Sequence, residues 1–153
     1  EAKQDGLVKR IPSSDEKPVD HQFYAQDDNG QGTLHYRGTL KESGDSVFLK
    51  LYAGDKLLVT QKQKIETDKK YALSVSLKAG LVAYRTEFGI KHGGAEIILE
   101  KASNLVCGDV FVIQGQSNAE AWTDQRVVHP YRSPWLRSFG TPSTNKDRAR
   151  DVV

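Results

Sequence analysis

The chain has 153 residues, of which 22 are Lys or Arg and 20 are Asp or Glu, so its formal net charge is only +2. The basic residues are spread along the sequence, which argues against a nucleic-acid-binding protein. No run of about 18 consecutive apolar residues occurs, so the sequence predicts no membrane span. The single cysteine, Cys107, lies in an apolar run, and we expect it to be a small buried hydrophobic residue.

The first 19 residues are polar, have no periodicity and contain Pro12 and Pro18. Polar chain termini are ordered only where other parts of the protein hold them. We therefore interpret residues 1–19 as an N-terminal arm.

Short strands separated by turn residues are predicted from residue 20 onward. The clearest is 71–78, where apolar and polar residues alternate with a period of two, so that one face is buried and the other is wet. Its buried side chains are expected to be Tyr71, Leu73, Val75 and Leu77. Gly54-Asp55 fits the two-residue loop of a hairpin between strands at 46–53 and 56–65. Further strands are predicted to begin at Phe23 and to run over 33–40, 81–88 and 95–101.

This succession of strands, with almost no helical periodicity, predicts an antiparallel β-sandwich domain over residues 20–104. In the last of these strands, Ile97, Ile98 and Leu99 are expected to carry the burial.

The pattern changes in residues 105–153. Val110 to Ile113 are consecutive apolar residues, which is typical of a strand covered on both faces in a parallel sheet. We predict that this strand, over 109–114, leads through a small polar turn into a helix, and that 135–139 form a second strand. One βαβ unit cannot cover both faces of a parallel sheet. The α/β part is therefore expected to be incomplete.

The eleven residues Gly108 to Asn118, GDVFVIQGQSN, resemble the first conserved block of the SGNH (GDSL-like) hydrolases, in the G-Q-S-N form of the sialate O-acetylesterase type of carbohydrate esterase. A preceding β-sandwich is also similar to these esterases. The resemblance implies a flavodoxin-like α/β/α fold and a serine nucleophile that attacks an ester carbonyl. Ser117 is the matching position, and its backbone N–H would be one oxyanion donor.

Elementary chemistry favours the same role for Ser117. A serine between a parallel strand and a helix lies where open α/β sheets bind ligands, and free N–H groups at a helix N-terminus favour a developing oxyanion. Gly115 is a candidate substrate-binding position, since a glycine there would allow a tight turn and leave room for substrate. Gln116 and Asn118 are candidates for binding substrate or supporting the turn. The alternative for Ser117 is an ordinary helix N-cap.

A serine nucleophile needs a base and a group that orients the base. In the family these come from a D-x-x-H pair, but no Asp of this chain is followed by His three residues later. We therefore expect the base and the remaining oxyanion donors beyond residue 153, and this chain alone to be inactive. His21, His35 and His92 are expected to be surface or strand residues, and His129 a surface-loop residue.

The sequence thus predicts the N-terminal portion of a serine carbohydrate esterase that hydrolyses O-acetyl esters through an acyl-enzyme. Its expected partners are an acetylated carbohydrate and the remainder of the catalytic domain; no metal or other cofactor is expected. The missing first methionine and the habits of the family predict a secreted or periplasmic protein.

Two other hypotheses remain. In one, the chain is a non-catalytic carbohydrate-binding module, in which exposed aromatic residues such as Tyr36, Tyr52 or Tyr84 stack on sugars and the G-Q-S-N turn is vestigial. In the other, the sandwich packs against the catalytic domain and shapes its entrance.

Overall fold

A computed structural model of the chain describes residues 15–112 and 133–135. The chain divides into two compact units, Glu1–Gly108 and Asp109–Val153. Over the described residues there are seven strands, all in the first unit, and no helix. The strands are β1 (Phe23–Ala25), β2 (Gln31–Thr39), β3 (Ser46–Ala53), β4 (Lys56–Lys64), β5 (Lys70–Lys78), β6 (Gly80–His92) and β7 (Ala95–Gly108).

The seven strands form two sheets, one of five strands in the order β1-β7-β6-β3-β4 and one of two strands, β2-β5. A single hydrophobic core takes side chains from both, among them Tyr36 and Leu73 from the smaller sheet and Leu49 and Phe88 from the larger. The predicted mainly β character is confirmed for the described part of the chain.

The larger sheet is mixed and not antiparallel throughout, because β1 runs parallel to β7. A parallel pair needs a long connection between its strands, and here β2 to β6 lie between the two in sequence. The expectation of a wholly antiparallel arrangement is wrong at this edge. Local periodicity does not specify the direction of a strand's neighbour.

Alternation and turn chemistry account for the strands that were predicted best. In β5 every second side chain is buried, beginning with Tyr71, and β3 has the predicted bounds. Gly54 has a φ of 55°. A positive φ at the first loop position suits a tight hairpin between right-twisted strands, so this glycine fits the turn that joins β3 to β4. A bulge between Leu51 and Tyr52 then shifts the pairing of the two strands by one residue.

The last strand differs from its prediction in length and in burial. It continues to Gly108, and Ile97 and Ile98 are 47% and 44% exposed. Neighbouring residues of a strand point to opposite faces, so an apolar run near a hairpin end cannot all be covered. Leu99 is partly buried and packs against the core, and the fully buried side chains come from the second half of the strand, which includes Leu105 and Cys107. Cys107 is buried, as predicted.

The predicted strand at 109–114 is not formed over the residues that the structure describes there, Asp109 to Val112. Val110, Phe111 and Val112 are 52%, 84% and 86% exposed, so the expected burial is wrong for these three side chains. A strand needs a neighbour to bond its backbone, and none of the seven strands pairs with them. The predicted helix and nearly all of the predicted strand at 135–139 lie outside the described residues.

Residues just before β1 connect to both sheets. Glu16 and Arg37 exchange two backbone hydrogen bonds, with N···O distances of 2.7 and 2.8 Å, and Pro18 is buried. The carboxylate of Asp20 accepts hydrogen bonds from the backbone N–H of Ser103 at 2.7 Å and from its hydroxyl at 3.0 Å. These bonds lower the pKa of Asp20. The segment is therefore attached to β2 and to β7.

Candidate functional site

The candidate nucleophile and its neighbours lie outside the described residues. These are Ser117, Gly115, Gln116 and Asn118, together with His129 in the following loop. The structure does describe the strand that leads into them. In the described part of the chain, no helix is long and apolar enough to cross a membrane.

The end of β7, where the resemblance to the esterases begins, is held on both sides. β6 pairs with one edge of β7 and β1 with the other. Gly108 accepts a hydrogen bond from the backbone N–H of Gln26 at 2.9 Å, and Val106 donates one to Gln22 at 3.2 Å. We call the first compact unit, Glu1–Gly108, the β unit. It therefore ends at Gly108, in a strand whose two edges are both held by backbone hydrogen bonds.

Cys107 has a nucleophilic side chain near this point, but its environment argues against reactivity. Burial raises the pKa of its thiol, outweighing the hydrogen bond from the backbone of Gly32. A thiol attacks as the thiolate, so a raised pKa makes it inert near neutral pH. Its sulfur also fills the space beside Gly32, where an added Cβ would lie 2.9 Å from it. Cys107 is a packing residue.

The histidines of the β unit lie where a surface or strand position was expected. His35 is within β2, His92 ends β6, and His21 lies in the turn before β1 with a φ of 64°. Among residues 15–112 and 133–135, no group of three His, Cys, Asp or Glu side chains is placed to hold a metal ion.

Two of the three tyrosines proposed as exposed sugar platforms are buried, which corrects that expectation. Tyr36 is 1% exposed and Tyr84 is 4% exposed. Tyr36 stacks on Phe88, with ring centroids 4.8 Å apart, and shares a hydrogen bond of 3.3 Å with the hydroxyl of Thr86. The hydroxyl of Tyr84 donates to the carbonyl of Lys78 at 2.8 Å. Tyr36 follows Leu34 by two positions, so alternation along β2 already placed it on the core face.

Tyr52 is partly exposed, but its ring is covered. The guanidinium of Arg85 lies 3.7 Å from the ring centroid, and the hydroxyl donates to Glu87 at 3.0 Å. Tyr36 and Tyr84 are therefore closed to a sugar, and Arg85 occupies one face of the Tyr52 ring.

Glu87 is the centre of a polar cluster that the sequence did not indicate. Arg85 bonds it at 3.0 Å and Lys101 lies 3.7 Å away. Burial alone would raise the pKa of Glu87, but the hydrogen bonds from Tyr52 and Arg85 and the charges of Arg85 and Lys101 lower it overall. Glu87 is thus ionised near neutral pH, which suits an ion-pair network better than a general acid.

Comparisons of the chain with protein-family models, with curated proteins and with solved structures found no match.

Proposed function

We propose that this chain supplies the nucleophile of a serine ester hydrolase that removes O-acetyl groups from carbohydrates. The observation that carries the proposal is the sequence GDVFVIQGQSN at Gly108 to Asn118, which resembles the first block of the SGNH hydrolases. In this proposal residues 105–153 begin a flavodoxin-like α/β/α domain, and the β unit before them is a β-sandwich.

The chemistry follows from the role of Ser117. Its hydroxyl oxygen attacks the acetyl carbonyl as a base removes the proton, and backbone N–H groups stabilise the oxyanion. The sugar oxygen leaves with a proton, and water then hydrolyses the acyl-enzyme to acetate and free serine. The family's D-x-x-H pair has no counterpart in the 153 residues. The proposal therefore requires a base from outside this sequence and predicts that this chain alone is inactive.

The exposed apolar run at Val110 to Val112 is consistent with this proposal. Monomeric proteins rarely leave large apolar patches uncovered, and strands of parallel sheets are apolar on both faces because helices cover them. Helices of an α/β domain would cover both faces of this segment. Secretion or export to the periplasm stays a prediction.

The first prediction tests Ser117 by covalent labelling. In the protein that carries this chain together with its base, a fluorophosphonate probe should modify Ser117, as read by peptide mass spectrometry. Ser117→Ala should abolish labelling and lower the hydrolysis of an acetylated sugar at least about a hundredfold. Ser76→Ala, at an exposed position of β5, is the matched control and should change neither. Hydrolysis that survives Ser117→Ala would refute the proposal.

The carbohydrate-binding alternative has less support, because its aromatic platform is buried or covered at Tyr36, Tyr52 and Tyr84. It would regain support if Ser117 stayed unlabelled while the protein bound a neutral glycan.

A further inference from the structure

One face of the larger sheet gathers cations that are scattered along the sequence. Residues on β3 alternate between the core, as at Leu49, and the outer face, as at Lys50. Cross-strand partners share a face, so the register identifies the other outer positions. We call this surface the lysine face: Lys50, Lys62, Lys64, Arg85, Lys91 and Lys101, with the carboxylates Glu87 and Glu96.

The residues of the lysine face lie in rows that run across the sheet, each row consisting of residues paired on neighbouring strands. In one row Ser46 pairs with Lys64 on one side and with Lys91 on the other. Neighbouring strands are about 4.8 Å apart, so the Cα atoms of these two lysines are separated by roughly 10 Å. In a second row Glu87 pairs with both Lys50 and Lys101. The sheet therefore fixes where each cationic side chain begins.

The charge of this face is unbalanced. It has six cations and two carboxylates, a net charge of +4, whereas residues 15–112 together contain 13 Lys or Arg and 14 Asp or Glu, a net charge of −1. Outside the lysine face, residues 15–112 keep seven Lys or Arg against twelve Asp or Glu, a net charge of −5. A face with this excess attracts anions over a distance that depends on salt.

The Glu96 carboxylate lies among several of the cations of the lysine face. It bonds Lys50 at 2.5 Å, and this bond, with the charges of Lys50, Lys62 and Lys91, lowers the pKa of Glu96. Lys62, Lys64 and Lys91 have no ion pair with any residue in the described part of the chain. Three cations around one edge of the face are thus available to an external anion.

The aromatic residues of the lysine face cannot stack on a ligand. Phe48 is 1% exposed, with the ammonium of Lys50 5.0 Å from its ring centroid, and Arg85 covers Tyr52. Single-stranded nucleic acids and neutral sugars are held largely by stacking on exposed rings. The register also places the exposed apolar side chains of Leu57 and Ile98 on this face. The charged groups that it offers a ligand are its lysines, which make ionic contacts with a polyanion.

We propose that the lysine face is a docking surface for an anionic polysaccharide, in which carboxylate or sulfate groups contact Lys62, Lys64 and Lys91. The choice of a polysaccharide among polyanions rests on the proposed esterase function. The face would hold the polymer through the β unit, apart from any contact that Ser117 makes with an acetyl group.

Binding of polygalacturonate tests this proposal. The triple variant Lys62→Gln, Lys64→Gln, Lys91→Gln should weaken binding about tenfold, since each exposed ionic contact contributes modestly. The control Lys41→Gln, Lys56→Gln, Lys78→Gln removes the same charge at exposed positions outside the lysine face and should change the Kd less than about twofold. Binding should also weaken as salt rises from about 0.1 M to about 1 M, where the Debye length falls from ~10 Å to ~3 Å.

Three results would overturn the proposal. An equal loss in the control variant would show an effect of bulk charge. Equal or tighter binding of duplex DNA would show a nucleic-acid surface, and binding to phosphatidylserine vesicles without binding to polygalacturonate would show a membrane surface. Ser117→Ala should leave polymer binding unchanged. Failure of docking is therefore distinguishable from failure of the esterase proposal.

Discussion

At Gly89 in β6, two neighbours occupy the space that a side chain would need. An added Cβ would overlap the carbonyl oxygen of Ile97 and lie 2.7 Å from Cζ of Phe48. Phe48 of the neighbouring strand β3 pairs with Gly89, and its ring lies over this glycine. An aromatic ring in this position covers the backbone that glycine, which has no side chain, leaves exposed.

The second prediction follows from this contact. Gly89→Ala should lower the free energy of unfolding by about 1–3 kcal/mol, because a backbone carbonyl cannot move aside without distorting the β6–β7 pair. Urea unfolding followed by circular dichroism measures it. Gly108→Ala is the control, since its nearest neighbour would be 3.7 Å away, and its effect should stay within about 0.5 kcal/mol. Equal effects of the two substitutions would contradict the steric explanation.

Tyr36 provides a prediction about pH. Burial raises the pKa of its hydroxyl to about 12, outweighing the hydrogen bond with Thr86. The folded protein therefore favours the protonated tyrosine. The associated stability is complete below the unfolded-state value of about 10 and is lost as pH rises through about 12.

The third prediction is that the free energy of unfolding falls between about pH 10 and pH 12, and that Tyr36→Phe reduces this fall. A shift of about two units corresponds to at most roughly 2.7 kcal/mol, and Tyr71 and Tyr84, whose pKa values burial also raises, contribute in the same direction. Denaturant titrations of the original protein and of Tyr36→Phe between about pH 10 and pH 12 measure the two free energies of unfolding. Parallel curves would show that Tyr36 does not ionise on unfolding.

Glutamine side chains of β4, in the larger sheet, form hydrogen bonds with the backbone of β5, in the smaller sheet. These bonds stand where a ladder of backbone-to-backbone hydrogen bonds would join two strands of one sheet. The side-chain carbonyl of Gln63 accepts from the N–H of Ala72 at 2.9 Å, that of Gln61 accepts from Ser74 at 3.3 Å, and the Gln63 amide donates to Lys70 at 3.2 Å. β4 thus covers the edge of β5 that β2 leaves open. Covered edges resist association with other strands.

The fourth prediction concerns the hydrogen bonds of Gln61 and Gln63 to the backbone of β5, which we call the β4–β5 seam. Gln61→Ala with Gln63→Ala should speed amide hydrogen exchange at Ala72 and Ser74 about fivefold, because each of these two N–H donors loses a partner worth about 1 kcal/mol. NMR exchange measures both amides. Gln31→Ala, on the exposed face of β2, should leave them unchanged. Unaltered exchange in the double variant would show that the seam does not protect β5.

At the scale of elements, local patterns predicted what depends on neighbours along the chain. The alternation of β5 and the Gly54 turn are set by residues within a few positions, and both were confirmed. The prediction for the burial of β7 was wrong, because the position of the opposing sheet decides which half of a long strand reaches the core. The parallel pairing of β1 depends on a contact between residues more than 80 positions apart.

Over the described residues, the buried side chains of the hydrophobic core all lie between Leu34 and Cys107, and Tyr24 packs against them. The fifth prediction is that a fragment ending at Gly108 folds alone, since its core is contained within it. It should unfold cooperatively on heating and show a β-type circular dichroism spectrum. Both tryptophans, Trp122 and Trp135, lie outside this fragment, so tyrosine signals report its tertiary structure. A fragment without a cooperative transition would contradict the prediction.

The sequence by itself determined the strand-rich character and the main turns, because each depends on residue chemistry and on neighbours close in the chain. It also predicted the burial of Cys107 and the candidate nucleophile Ser117. Ser117 lies outside the described residues and rests on its motif alone. Tertiary structure decided that Tyr84 is buried, since that depends on which face of β6 meets the other sheet. It also decided that cations spread through the sequence meet on one face. Cross-strand register brings Lys64 and Lys91 together across 26 intervening residues, and no local pattern specifies that register.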